Sequence, residues 1–355
     1  MQSDCRWQLP LNVRDQTHRR PLSAVPCYYD HAMLSCPPLK GFKTTFVAAL
    51  LFILLPAARA QDSFTQDAQH FDYDANAALD VKELSVQSRD GVSIHDLTYA
   101  SPKGGTVPAY LVVPKGEGKF AAIIWGHWMM PHSPTANRQE FLEEAIALAP
   151  TGVVSLLIDT PQVREGFKQS PYPSILAQQV VDLRRGVDLL LSRPDVDPKR
   201  IAYVGHSFDS GAGAILDAVD KRFAAFVFMS GPQSDRELIL SSDSPRMVAL
   251  RKSQPADKIE QMLQASAWAD SAAYAKHLGP APALFQYALH DEEWVPLQDA
   301  KDYFAMSSGP KEAKYYDSDH ALNAEARRDR VAFLREHLAL RALPPGALES
   351  LPLTK

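Results

Sequence analysis

Cysteine is scarce in this chain, and its placement matters more than its number. The three cysteines, Cys5, Cys27 and Cys36, all precede residue 60. The body of the chain therefore has no disulfide, no thiolate metal site and no cysteine nucleophile. Basic excess is missing as well. Residues 1–60 hold seven of the 37 Lys/Arg and three of the 42 Asp/Glu, which leaves a mildly acidic body. Such a body has no electrostatic footprint for nucleic acid or an anionic membrane surface. Long apolar runs are lacking too: Phe46 to Leu55 is an apolar stretch of ten residues, well short of the roughly 20 that span a bilayer. No internal repeat is visible.

What the chain does have is an ordinary globular balance, 46% hydrophobic and 22% charged over 355 residues, enough for one large or two ordinary domains. At the front, Lys40 and Lys43 precede the apolar run, and Pro56-Ala57-Ala58-Arg59-Ala60 follows it. A basic region, a short apolar core and an A-x-A site make a secretory signal. The signal is expected over about 33–60, with Met33 as the start and residues 1–32 outside it. Cleavage near Ala60 leaves Gln61 first, and a secreted or periplasmic protein with no stable membrane anchor.

From Gln61 onward the order of elements carries the argument. Residues 61–80 read as a loosely packed lead-in, 81–340 as the main domain, and the Pro-rich 341–355 as a disordered tail. Val81–Gln87 and Val92–Tyr99 flank Ser88-Arg89-Asp90-Gly91, a hairpin signal, and Val107–Val113 alternates as a third strand. Continuous apolar runs then predict strands buried on both faces at Phe120–Trp125, Val153–Ile158, Ile201–Val204, Ala224–Met229 and Ala283–Ala288. A last strand is expected at Ala313–Tyr316. Helices are predicted at Gln139–Leu148, Ile175–Ser192, Gly211–Val219, Leu297–Ala305 and Asn323–Leu340. This alternation implies a mostly parallel sheet covered on both faces, an α/β class. Residues 233–279 interrupt it with helical composition and no strand. Short helices are expected at Arg236–Leu240, Arg246–Arg251, Ala256–Ser266 and Asp270–His277. They form either a packed surface insertion or a cap that selects substrate.

Three strand ends carry groups suited to one chemistry. Gly205-His206-Ser207 joins a buried strand to a small-residue helix, as in a nucleophile elbow of pattern G-x-S-x-G, with Asp209 in place of the last glycine. A serine there faces out of the sheet at a helix N-terminus, where the N–H of Phe208 is an oxyanion donor. After Ala283–Ala288 come Asp291 and Glu292; Asp291 is the expected acid by its distance from the strand, Glu292 the alternative. Among the eleven histidines, only His320 stands between the last strand and the last helix, where it can reach the serine as general base. After Phe120–Trp125, the loop Gly126-His127-Trp128-Met129 supplies the second oxyanion N–H, from Met129, with Trp128 as the fallback. His206 packs in the elbow and has no assigned chemistry. Asp209 either caps its helix or hydrogen-bonds within the site. His127 and His132 lack a third ligand at sensible spacing, so no metal is expected.

These motifs in this order resemble the α/β-hydrolase superfamily, and most the dienelactone-hydrolase-related esterase branch. The likeness spans about residues 80–340. It rests on Trp125-Gly126-His127, on Arg193-Pro194-Asp195-Val196-Asp197-Pro198-Lys199-Arg200-Ile201 leading into Gly205-His206-Ser207, on Phe141-Leu142-Glu143-Glu144-Ala145 through Gly152–Asp159, and on Asp319-His320. It implies an α/β-hydrolase fold with Ser207 as nucleophile, Asp291 as acid and His320 as base. Dienelactone hydrolases use cysteine as nucleophile; serine here points to ester hydrolysis more generally. Trp128 stands where the usual His-Gly loop has glycine, and Asp209 replaces the elbow glycine. The expected activity is cleavage of small-molecule carboxylic esters without a cofactor. Peptidase or acyltransferase chemistry on the same groups, or a catalytically silent binding protein, are the alternatives. Neither the natural ester nor the oligomeric state is legible.

Overall fold

The computed structural model describes residues 63–130, 132–164 and 170–353; the predicted signal and its cleavage site lie outside them. Among the described residues nine strands form one sheet. They are β1 (Lys82–Arg89), β2 (Val92–Ala100), β3 (Thr106–Pro114), β4 (Phe120–Gly126), β5 (Val153–Ile158), β6 (Val196–His206), β7 (Ala225–Met229), β8 (Ala283–Ala288) and β9 (Lys311–Tyr316). Their spatial order is β1-β2-β3-β5-β4-β6-β7-β8-β9. The pairs β1/β2, β2/β3 and β3/β5 are antiparallel, and every pair from β5 through β9 is parallel. The hairpin turn expected at Asp90-Gly91 has both residues at positive φ, 50° and 82°, the geometry that matches the twist of the paired strands.

Helices α1 (Ser63–Ala68), α2 (Leu142–Leu148), α3 (Tyr172–Leu191), α4 (Phe208–Val219), α5 (Asp235–Ser241), α6 (Pro245–Ser253), α7 (Ala256–Ser266), α8 (Leu297–Met306) and α9 (Ala324–His337) surround the sheet. Successive strand residues point to opposite faces, and the core divides accordingly. Ala122, Ile124, Ile201, Tyr203, Phe226 and Phe228 pack on one side with Val180, Val187 and Leu183 of α3 and Ala212 and Ile215 of α4. Ala121, Ile123, Trp125, Ala202, Val204 and Val227 pack on the other with Ala145 and Leu148 of α2 and Val331 and Leu334 of α9. Every residue of β4, β5, β7 and β8 is buried, which is why these strands are unbroken apolar runs.

Four expectations need correction. The lead-in is anchored, not loose: Phe71 is fully buried, and Arg185 donates to the carbonyls of Ala75 and Ala77. The tail after Arg341 is packed over at least its first part. Leu343 and Leu348 lie against the α9 side of the core, and Arg327 donates to the carbonyls of Leu348, Leu351 and Pro352. The helix predicted from Gln139 begins only at Leu142, because Asn137 Oδ1 takes the Gln139 N–H at 2.9 Å in a turn. Asp270–His277 is not a helix but short 3₁₀ turns, Ser271–Ala273 and Ala275–His277. Asp270 there takes the N–H groups of Asp235, Arg236 and Ala272 and ties the turn to the start of α5.

The 233–279 segment holds no strand and leaves the sheet beyond the C-terminal end of β7. Its second half is packed, with Ala269, Tyr274 and Ala275 fully buried. Its α6 reaches the region above β8, where the Arg246 guanidinium lies 4.9 Å from the Trp294 ring. From β4 the chain passes to β5 on one side and then returns to β6 on the other. The C-terminal ends of β4 and β6 thus flank the point where strand order reverses, the position where open α/β sheets place their sites.

Candidate active site

Ser207 stands between β6 and α4 with φ 56° and ψ −111°, outside the regions a serine adopts freely. Neighbouring hydrogen bonds hold it there. Its N–H donates to Met229 O at the end of β7 (2.8 Å), and its carbonyl accepts from Ser210 N and Gly211 N (2.9 and 3.2 Å). The turn also needs Gly205, since a Cβ there would come within 2.3 Å of Asp209 O. The constraint turns Ser207 Oγ out of the sheet, and it meets His320 Nε2 at 2.8 Å.

His320 lies in the turn between β9 and α9 and is buried. Asn323 ends that turn by accepting the N–H groups of Glu325 and Ala326, so the loop runs directly into a capped helix. Asp291 Oδ2 lies 2.5 Å from His320 Nδ1, and Asp291 Oδ1 accepts the Trp294 N–H at 3.1 Å. A carboxylate at Nδ1 fixes the proton on that nitrogen, which leaves the Nε2 lone pair facing the serine hydroxyl. The loop bearing Asp291 is tied to the one bearing His320 by Leu289 N to Tyr316 O (2.9 Å) and His290 N to Ser318 O (3.1 Å). Glu292 is exposed, and it is Asp291, not Glu292, that meets the imidazole.

The oxyanion candidates divide. Trp128 N–H donates to Glu140 Oε2 at 2.6 Å and is therefore spent. Among the described residues neither Phe208 N–H nor Met129 N–H has an acceptor, and both sit at the ends of the adjacent strands β6 and β4. The Trp128 side chain is buried and stacks on His206 with centroids 5.0 Å apart. Trp294 lies 5.9 Å from the His320 ring and Phe208 is edge-on to Tyr172 at 6.0 Å; both are half-buried.

His127 has both ring nitrogens engaged: Nδ1 donates to Trp128 O at 2.7 Å and Nε2 accepts Thr160 N–H at 2.9 Å. Burial lowers its pKa to about 4, in keeping with a neutral ring in that tautomer. His132 is exposed. Asp209 is fully buried, and its Oδ1 accepts from Gln179 Nε2 at 2.8 Å. Desolvation, reinforced by the charge of Glu140 and opposed by the Gln179 bond, pushes its acid well above the ordinary carboxylate range. The favourable helix dipole at this position does not offset the loss of water. Sequence reasoning missed Glu140 and Gln179, since neither belongs to a local motif and each meets its partner from a distant part of the chain.

Known structures share this architecture. An acetyl xylan esterase from Paenibacillus sp. R4 superposes with a TM-score of 0.62 and 20% identity, over 78% of this chain and 94% of that one. Acetyl xylan esterase 1 from a Thermoanaerobacterium species gives 0.63 and 16%, over 78% and 93%. The chain has the α/β-hydrolase fold. A 2,6-dihydroxy-pseudo-oxynicotine hydrolase gives 0.54 and 17%, over 71% and 70%. At such identities the likeness speaks for the α/β-hydrolase fold alone. No family model matches the chain, and no curated protein matches it in sequence. Within the α/β-hydrolase fold, β6 with α4 carries Ser207, the β8 end carries Asp291, and the turn before α9 carries His320.

Proposed function

We propose that the protein is an exported serine hydrolase that cleaves small carboxylic esters through an acyl-enzyme. The observation that carries this reading is the unbroken hydrogen-bonded chain from Ser207 Oγ through His320 to Asp291, 2.8 and 2.5 Å in its two links. Ser207 attacks the ester carbonyl carbon as its proton passes to His320 Nε2. Asp291 stabilises the imidazolium. The N–H groups of Phe208 and Met129 receive the oxyanion; one such donor contributes about 10²-fold or more to turnover. Collapse expels the alcohol, which takes the proton from His320. Water, deprotonated by the same nitrogen, then attacks the acyl-enzyme; collapse breaks the bond to Ser207 Oγ, which takes the proton back from His320, and releases the acid.

Two of the structural neighbours are acetyl xylan esterases, which makes short acyl groups the first to try. The half-buried aromatic side chains of Phe208 and Trp294 beside Ser207 and His320 suit a small apolar acyl group, and Arg246 of α6 lies against Trp294. The signal over 33–60 supports export with Gln61 as the mature terminus, which N-terminal sequencing of the exported protein tests.

A fluorophosphonate probe tests the chemistry. Wild-type protein is expected to label and to hydrolyse p-nitrophenyl acetate, and Ser207→Ala to do neither. Absence of labelling in folded wild type sinks the reading and leaves a binding protein.

A further inference from the structure

Beneath the nucleophile lies a second imidazole–carboxylate pair that the acyl-enzyme chemistry does not use. His206 Nδ1 is 2.5 Å from Glu140 Oε1, and both side chains are fully buried. The other ring nitrogen, Nε2, is 2.9 Å from the backbone carbonyl of His320. A carbonyl only accepts, so Nε2 carries a proton. The contact to Glu140 needs one more, on Nδ1 or on the carboxyl. The pair therefore holds two protons between three sites and is neutral as a unit, whether written as imidazolium and carboxylate or as imidazole and acid. Glu140 Oε2 accepts the Trp128 N–H at 2.6 Å in either form.

The partners of this pair are what give it consequence. The His320 carbonyl accepts a second bond from Ser230 Oγ at 2.6 Å, so the backbone of the base is held by donors from the ends of β6 and β7. Glu140 meanwhile fixes Trp128 in the loop that presents Met129 N–H. The Trp128 ring covers His206 at 5.0 Å and lies nearly parallel to the His320 ring, 8° between planes at 6.4 Å. One buried carboxylate thus spans the oxyanion loop, the elbow and the base loop.

We propose that Glu140 and His206 are positioning residues for the reaction: the hydrogen bond between them locks His320 and the Met129 loop in register around Ser207. This rests on the reading of Ser207 as a nucleophile. The hydrogen-bond inventory separates positioning from simple packing. In Glu140→Gln the amide oxygen can accept Trp128 N–H while the amide NH₂ donates to His206 Nδ1. His206 then keeps its Nε2–H for His320 as a neutral ring. Glu140→Ala breaks every link.

The test compares wild type, Glu140→Ala and Glu140→Gln. Sub-ångström to ångström displacement of reacting groups lowers turnover by up to about 10²-fold, so Glu140→Ala is expected to lose about that factor in kcat and in fluorophosphonate labelling rate. Its KM is expected to change little, and Glu140→Gln to recover most of the loss. A Glu140→Ala protein with wild-type kcat overturns the proposal, as does a Gln variant as slow as the Ala variant. Should Glu140→Ala not fold, proton NMR of wild type decides. Two resonances downfield of the amide and indole range are expected, one lost in Glu140→Gln and the other in Asp291→Asn. A single resonance that vanishes only in Asp291→Asn rejects the hydrogen bond between Glu140 and His206, and the proposal with it. If wild type itself fails to label, the nucleophile reading has failed, and the two resonances still report the pair independently.

Discussion

Asp209 occupies the space that Gly126 leaves open: a Cβ on Gly126 would lie 2.5 Å from Asp209 Cγ and 2.6 Å from Asp209 Cβ. The usual elbow has glycine at the Asp209 position so that helix and strand can approach. Here a glycine at the end of β4 provides the clearance instead, and the side chain comes from α4. Gly126→Ala should therefore cost about 1–3 kcal/mol of stability by overpacking. Pairing it with Asp209→Gly should recover more than about 1 kcal/mol of that as a coupling energy. Asp209→Ala should rescue poorly, since the Asp209 Cβ is itself in the way. Denaturant titration of the single and double variants measures this, and strict additivity of Gly126→Ala with Asp209→Gly would refute it.

The identity of the acid makes a second contrast. Asp291→Asn leaves the geometry near His320 but removes the acceptor that fixes its tautomer, and should lower kcat by about 10³–10⁴-fold. Glu292 is exposed and takes no part in the hydrogen-bonded chain, so Glu292→Gln should stay within about twofold of wild type, as surface changes usually do. Steady-state hydrolysis of p-nitrophenyl acetate distinguishes them. The reverse ranking would move the acid to Glu292.

How much of this was legible follows from how each feature is encoded. Strands β4, β5 and β8 are buried on both faces, so their runs of apolar residues announce them directly. Ser207, Asp291 and His320 each lie just past a strand, and their order along the chain follows from the topology. The hydrogen-bond partners beneath them are another matter. Glu140 and His206 are 66 residues apart, Gln179 and Asp209 are 30 apart, and no spacing rule links either pair. The packing of the tail is illegible for a related reason. Its prolines speak for an irregular path, and the contacts that order it come from Arg327 on α9, a side chain whose local sequence looks like a solvated helix face. Polar anchors between distant segments leave no periodicity.

His127 should make the protein acid-sensitive above the carboxylate range. Its folded pKa of about 4 lies below the ordinary histidine value, with desolvation as the main cause. As pH falls from about 6.5 to about 4, the unfolded chain takes up a proton that the folded chain refuses, so stability is lost across that window. The shift corresponds to about 3 kcal/mol. In His127→Gln the amide oxygen can still accept Thr160 N–H, while the bond to Trp128 O is lost at a cost of about 1 kcal/mol. Its unfolding free energy should thus be lower at pH 7 yet fall less between pH 6.5 and 4. Parallel curves for the two proteins would show that His127 protonates freely in the fold.

Asp217 works in the opposite direction. It is buried in α4, where Oδ1 accepts Gly279 N–H at 2.9 Å and Oδ2 has no partner. Burial raises its pKa to about 6, against the pull of the Gly279 bond and Lys221. The folded chain keeps this proton longer than the unfolded one, so stability falls as pH rises from about 4 to about 6 and stays lower beyond it. The loss amounts to about 3 kcal/mol. Asp217→Asn keeps the acceptor for Gly279 and has no charge to bury, but its NH₂ group is left without a partner at a cost of about 1–2 kcal/mol. The variant should therefore gain about 1 kcal/mol at pH 8 and lose stability relative to wild type near pH 4, where Asp217 is already neutral. Urea titrations at the two pH values read the crossover. A variant less stable at pH 8 would mean that Lys221 holds Asp217 ionised, and that the ion pair outweighs the desolvation.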